Sequence, residues 1–364
     1  MIRNVFRKGL IISIIFLFFS AGIIQTNTRG IDNKTYQYYD YYSYEELSNL
    51  LAQLQQNFSD VFYYESLGKT YEGRDIWLVK ISDNVIIDEE EPEVLFTGGF
   101  HGDEKTGFEV VIFSLKSIAE NYSFINVNES FSKRIRNIVN NTELYFIPMV
   151  NPDGVTSGIR KNRNPNNCIF GNTIFRGVDL NRNFGYNWDD FNKHPLKYTI
   201  ISIFRIGGRA TILFPFLDFI SLFGEGTYRG PYPFSENETR SIKEFVENHN
   251  IIVGVDYHTY GKKIGYPWGW TKENPLDEST FLSIAENISQ INGYSFFQWS
   301  DWYFINGWFN DWMYGEHGVY YFSLELDPTE ADGPKFQYNY KPVLEICKTH
   351  LLVNLYFAER AIIL

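Results

Sequence analysis

From residue 43 onward the apolar positions change period repeatedly, and the changes predict helices and strands in alternation. Leu47, Leu50, Leu51 and Leu54 recur at helical spacing over 43–57, with Ser43 and Glu46 placed as a capping box at the start. Strand-like runs follow at 61–67 and 75–81. Val94-Leu95-Phe96-Thr97 reads as a buried strand that ends at Gly98-Gly99 and delivers the chain to Phe100 and His101. Residues 105–121 read as a helix, and Glu143 to Met149 as a strand stopped by the turn signal Asn151-Pro152-Asp153-Gly154. A capped helix over Ser235 to Asn248 leads into the strand Ile251 to Val255. The strand Val319 to Leu326 and a helix over 341–361 close the series. Buried strands separated by amphipathic helices predict an α/β fold, a mixed and mostly parallel central sheet with helices on both faces. Ligands in such folds gather beyond strand ends, which directs the search for chemistry.

Two apolar stretches stand outside this pattern. Arg3, Arg7 and Lys8 precede an apolar run from Leu10 to Ile24, which predicts a signal peptide or an N-terminal membrane anchor over 1–30. The chain is therefore expected to be secreted or extracytoplasmic, and anchored by its N-terminus if the run is retained. The second stretch, 192–224, carries Ile200, Ile201, Ile203 and Phe204, then Ile212 to Phe223. It reads as a packed hairpin, a hydrophobic lid or a membrane-dipping hairpin, so membrane contact is expected through either stretch. No linker or repeat divides the rest, and 31–364 is taken as one catalytic domain with an apolar insertion at about 192–224.

Composition narrows the partners. The 364 residues carry a formal net charge of −12, and no clustered Lys and Arg are present to neutralise phosphates, so a nucleic-acid partner is excluded. Aromatic residues make up 18% of the chain and crowd 36–44 and 294–322, where they serve packing or line a cleft. Cys168 and Cys347 form one disulfide or remain two buried thiols; sequence leaves both open.

Chemistry-bearing residues lie at the predicted strand ends. His101 and Glu104 form an HxxE pair after a buried strand, where an imidazole and a carboxylate can face one ion. Alone the spacing is weak, because six histidines make a chance match common. His258, past the strand Ile251 to Val255, brings a third donor to the same sheet edge, and three protein ligands plus a water make a catalytic metal site. Arg160 and Arg182 sit in polar clusters, and guanidinium groups suit carboxylate recognition through paired donors. Glu325 lies within the apolar strand Phe322-Ser323-Leu324-Glu325-Leu326, where burying a carboxylate is costly unless it has a task or a partner.

With those residues in chain order, positions 43 to 361 resemble the zinc carboxypeptidases of the A and B type, the microbial branch more closely. The resemblance implies one zinc ion per chain, held by His101, Glu104 and His258, with Asp179 orienting the first histidine. It implies Glu325 as general base and acid, Arg160 as the group that polarises the scissile carbonyl, and Asn181, Arg182 and Tyr303 as the clamp on the substrate's terminal carboxylate. Peptide and protein C-termini are then the substrate, and the enzyme is expected to be a monomer.

Some positions depart from the family pattern. Asp103 stands where the animal digestive enzymes carry an arginine. Asn310 falls at the position that sets side-chain preference and is neither acidic nor aliphatic, so basic terminal residues are not expected. Trp308 stands where the family often has glycine and narrows or covers the specificity pocket. The likeness begins too soon after the apolar run to leave room for an inhibitory pro-domain. Two alternatives are weighed: a zinc hydrolase of cell-wall or amino-acid amides, against which the Arg182 and Tyr303 clamp argues, and a non-catalytic peptide-binding module, against which the filled catalytic positions argue.

Overall fold

The computed structural model describes residues 40–123, 129–165, 176–190, 227–329 and 341–364. Helix α1 (Tyr44–Asn57) begins with both reciprocal bonds of the predicted capping box: the Glu46 amide donates to the Ser43 hydroxyl, and the Ser43 amide to the Glu46 carboxylate. Strands β1 (Phe62–Lys69), β2 (Asp75–Ile81) and β3 (Glu93–Gly98) follow, then α2 (Lys105–Ser123), α3 (Glu129–Val139), β4 (Glu143–Ile147) and the short α4 (Pro152–Ser157). The second half holds α5 (Asn237–Glu247), β5 (Ile251–His258), β6 (Lys263–Tyr266), α6 (Glu278–Asn292), β7 (Ser295–Gln298), α7 (Phe309–His317), β8 (Tyr320–Glu325) and α8 (Val343–Ala361).

The strands form one sheet in the order β1-β2-β4-β3-β5-β8-β6-β7. Its centre, β4-β3-β5-β8, is parallel, and antiparallel pairs join β1 to β2, β2 to β4 and β6 to β8. Central strands covered on both faces carry apolar side chains on both; β3 and β4 are buried throughout. One face packs Phe96, Phe146, Val255 and Phe322 against α1, α2, α3, α6 and α8. The other packs Leu95, Tyr145 and Tyr321 against α5, α7 and the segment around Leu180 and Phe184. This is the α/β sheet the alternation predicts.

The membrane expectations are overturned. A spanning helix needs about 20 apolar residues, and no helix among the described residues is long and apolar enough to cross a membrane. Both stretches on which membrane contact and N-terminal anchoring rested, 10–24 and 192–224, lie outside the described residues. Neither a tether nor a location inferred from one is retained. Cys347 is a buried free thiol, and Cys168 lies outside the described residues.

Candidate active site

The site stands at the C-terminal ends of β3, β5 and β8. Leaving β3, the chain turns at Gly99, whose φ of +67° favours glycine. At Gly102 a Cβ would lie 2.0 Å from the carbonyl carbon of Gly154, so only glycine lets this turn press against α4. The turn carries His101 and Glu104 immediately ahead of α2. His258 is the last residue of β5 and pairs in parallel register with Glu325 of β8, so the sheet ladder itself sets the two side by side.

Donor atoms of His101, Glu104 and His258 lie within 4.8 Å of one another. The Nδ1 atoms of the two histidines are 3.1 Å apart, and each is 2.7 Å from one oxygen of Glu104. Their opposite ring nitrogens face carboxylates: His101 Nε2 is 3.1 Å from Asp179, and His258 Nε2 is 2.8 Å from Asp256. Each Nε2–H thereby donates to a carboxylate, and both Nδ1 lone pairs point into one small space beside a carboxylate. Facing lone pairs repel unless a proton or a cation lies between them, so this donor set fits a cation. Two imidazoles and one carboxylate suit zinc, with a position left open.

Without an ion, the electrostatics favour a proton in that space. Burial favours a neutral Glu104, yet the facing His101 and His258 overcome it and hold the carboxyl well below its usual range. Burial disfavours a charged His258, but Glu104 and Asp256 push its pKa well above the ordinary value. For Glu325, burial and then the Glu104 charge push the carboxyl up to about 7.

Arg160 bridges the same group: its Nε donates to Asp179 at 3.0 Å and its Nη1 to Glu104 at 3.1 Å. Asp179 also caps the turn Leu180–Arg182 by accepting from the Asn181 amide, which sets where Asn181 and Arg182 project. Arg182 donates to the Asn181 carbonyl at 2.7 Å. Arg160, Asn181, Arg182, Tyr303 and Glu325 line one cavity of about 40 Å³ with the three metal-site residues; Trp299, Ile305 and Trp308 wall it on one side.

Asn310 lies elsewhere. It is fully buried, outside the cavity wall, and donates to Asp256 at 3.0 Å while its own Oδ1 has no hydrogen-bond partner. Two site residues escape the sequence reading. Asp256, which orients His258, sits two positions before it on a strand and so shares its face; that period-two spacing was the available signal. Ser323 stands likewise two before Glu325, fully buried in the cavity wall with a hydroxyl that has no hydrogen-bond partner.

The sequence profile described as zinc carboxypeptidase matches residues 47–199 and 224–350, and the chain belongs to that family. Among curated relatives, the zinc carboxypeptidase of Saccharothrix mutabilis subsp. capreolus is 30% identical over 313 residues, which cover 82% of this chain and 64% of that protein. The chain thus spans less than two thirds of that relative's length. Carboxypeptidase B of Astacus astacus is 26% identical over 305 residues, covering 79% of this chain and 87% of the relative. Among solved structures, carboxypeptidase A from Helicoverpa armigera aligns with a TM-score of 0.65 at 21% identity, over 88% of this chain and 73% of the other. At that identity the likeness concerns the fold alone.

Proposed function

We propose that the chain is a zinc-dependent carboxypeptidase that removes residues from the C-terminus of peptides, with 31–364 as its catalytic domain. The observation that carries the reading is the convergence on one cavity of a two-histidine, one-carboxylate donor set, a buried glutamate beside it and a buried arginine across from it. Zinc held by His101, Glu104 and His258 would supply Lewis acidity, polarising a carbonyl and lowering the pKa of a water toward ~7.

The chain's own groups divide the remaining work. Arg182, with Asn181 and Tyr303 beside it, holds the terminal carboxylate of the substrate; a guanidinium matches that group with two parallel donors. An enzyme that must satisfy this clamp accepts only chain ends. Arg160, fixed in orientation by Asp179, offers positive charge to the oxygen on which negative charge develops. A Glu325 carboxylate takes a proton from the attacking water and returns it to the departing amine, and a pKa near neutrality suits both transfers. Trp308 and Trp299 occupy the wall beyond the clamp and leave Asn310 no direct contact with the cavity, so preference for the terminal side chain is assigned to the two rings rather than to Asn310.

The test uses blocked-N-terminal peptides followed by mass spectrometry, with the zinc-loaded chain and its Glu325→Gln variant. Stepwise, chelator-sensitive C-terminal loss is expected from the wild type. The variant should retain zinc and peptide binding and lose turnover by about a hundredfold or more, the range general acid-base catalysis contributes. Full activity in the variant sinks the proton-transfer role, and no C-terminal loss from folded, zinc-loaded wild type sinks the carboxypeptidase reading.

A further inference from the structure

The wall of the cavity beyond the carboxylate clamp holds two polar atoms that the protein itself leaves unanswered. Ser323 is fully buried on β8 and its hydroxyl has no hydrogen-bond partner; Trp299 is 2% exposed, and its buried indole Nε1 has none either. Both residues line the cavity. The sheet fixes where Ser323 stands: it pairs with Asp256 of β5 and Gly265 of β6, two positions before Glu325 and so on the same face. An indole N–H only donates, whereas a hydroxyl both donates and accepts. Buried polar groups in native proteins are paired as a rule, so two unpaired ones in the wall of a substrate cavity point to a ligand that pairs them.

The surrounding wall is close and firmly held. A Cβ at Gly265 would lie 2.2 Å from Trp299 Cε3, and one at Gly269 would lie 2.9 Å from Trp308 Cε3, so each indole rests directly on a glycine. The two rings pack together with centroids 4.9 Å apart, and the Ile305 amide donates to the Gly269 carbonyl at 3.0 Å, which ties the segment carrying the wall to the loop after β6. The cavity measures about 40 Å³ in all. One water takes about 10–15 Å³ on the same measure, so a seated terminal carboxylate leaves no space for an aromatic or long aliphatic side chain. Charge is excluded as well. The charged residues of the lining, among them Glu104, Arg160, Arg182 and Glu325, are already given to the metal, the carbonyl, the terminal carboxylate and the proton transfer.

We infer that the enzyme selects peptides ending in a small neutral residue whose side chain both donates and accepts a hydrogen bond, a hydroxyl or a carboxamide: serine, threonine or asparagine. The inference rests on the carboxypeptidase reading and names the substrate class of that site. The side-chain oxygen of such a residue accepts from the Trp299 indole or the Ser323 hydroxyl, and its own O–H or N–H donates to the Ser323 oxygen. An apolar residue of the same shape displaces water from the wall and leaves both groups buried without a partner, which is how a polar site rejects an isostere. Ser323 and Trp299 thus determine specificity, while Glu325 and the metal ligands carry the chemistry.

The experiment compares kcat/KM of the full-length, zinc-loaded chain on blocked peptides identical except for the last residue, in shape-matched pairs: threonine against valine, serine against alanine, asparagine against leucine. Expected is a preference of about tenfold for the polar member of each pair, the ratio that one neutral hydrogen bond supplies, with phenylalanine and lysine released more slowly than alanine. Ser323→Ala and, separately, Trp299→Phe should draw the threonine-to-valine ratio toward one. Because that ratio is taken within one protein, a general loss of folded enzyme cancels from it. Valine released by the wild type as fast as threonine overturns the preference, with no variant needed, and leaves the carboxypeptidase reading standing. A ratio unchanged in both variants overturns it too. Release of no terminal residue from any peptide removes the carboxypeptidase reading and the preference with it.

Discussion

Glu238 shows how a single buried carboxyl couples the fold to the site. It lies in the first turn of α5, fully buried, with Oε1 lacking any hydrogen-bond partner and Oε2 accepting from Asn162 at 3.2 Å. Asn162 in turn accepts from the Val178 amide, next to the Asp179 that orients His101. Burial pushes the Glu238 carboxyl up to about 8 from an ordinary 4.5, with the Glu236 charge adding to it. Between those two values the folded protein holds a proton that the unfolded chain has released. Stability therefore falls as pH rises through that window, by at most about 1.4 kcal/mol per pH unit, and the loss is complete above the folded value. Glu238→Gln should flatten this slope while preserving the Asn162 contact. Urea unfolding of both proteins at several pH values from 5 to 8.5 checks it, and parallel stability curves would remove the neutral-carboxyl account. At this scale sequence gives only part of the answer. Arg160, Lys161, Asn162 and Arg163 read as one polar cluster, yet Arg160 alone reaches the cavity, Asn162 braces α5, and Arg163 pairs with Glu72.

Elements were more legible than their partners. The capping box, the strands ending at Gly98 and near His258, and the turn after β4 were all readable, because each rests on local periodicity or turn chemistry. Helices α3 and α6 went unread although Ile135, Ile138 and Val139, and Phe281, Ile284, Ala285 and Ile288, recur at helical spacing; α7 and the four-residue strands β6 and β7 are short and carry aromatics or glycine, and there only tertiary packing decides between states. The Ser235 cap also differs: Glu236 occupies the cap position, and the Ser235 hydroxyl donates to its carboxylate instead. Gly107 tests how closely elements must approach to assemble the metal site. It lies in the first turn of α2, three residues after Glu104, and a Cβ there would stand 2.5 Å from the Tyr257 carbonyl oxygen. Gly107→Ala should cost roughly 1–3 kcal/mol by overpacking and lift Glu104 away from His258. A lower urea midpoint together with weaker zinc retention in a competition titration is the expected pair of results. A loss of stability with zinc affinity intact would separate the helix contact from the site.

Across the whole molecule, the two ends of the central parallel strands carry acidic groups in opposite states of compensation. At the C-terminal end the charges are already answered from within: Glu104 faces two histidines, Asp179 takes Arg160 and His101, and Asp256 takes His258 with Asn181 and Asn310. Those groups compensate one another without an ion, and the apolar layers on both sheet faces include none of His101, Glu104 and His258. Treatment with a zinc chelator should therefore abolish the proposed peptide hydrolysis while the chain keeps its circular dichroism and a cooperative melt, lowered only by the free energy of lost binding. At the N-terminal end, by contrast, carboxylate oxygens of Asp83, Glu89, Glu91 and Glu93 are buried without a hydrogen-bond partner. An unfolded zinc-free chain would mean that a metal ion, and not the packed sheet, holds the strand ends together.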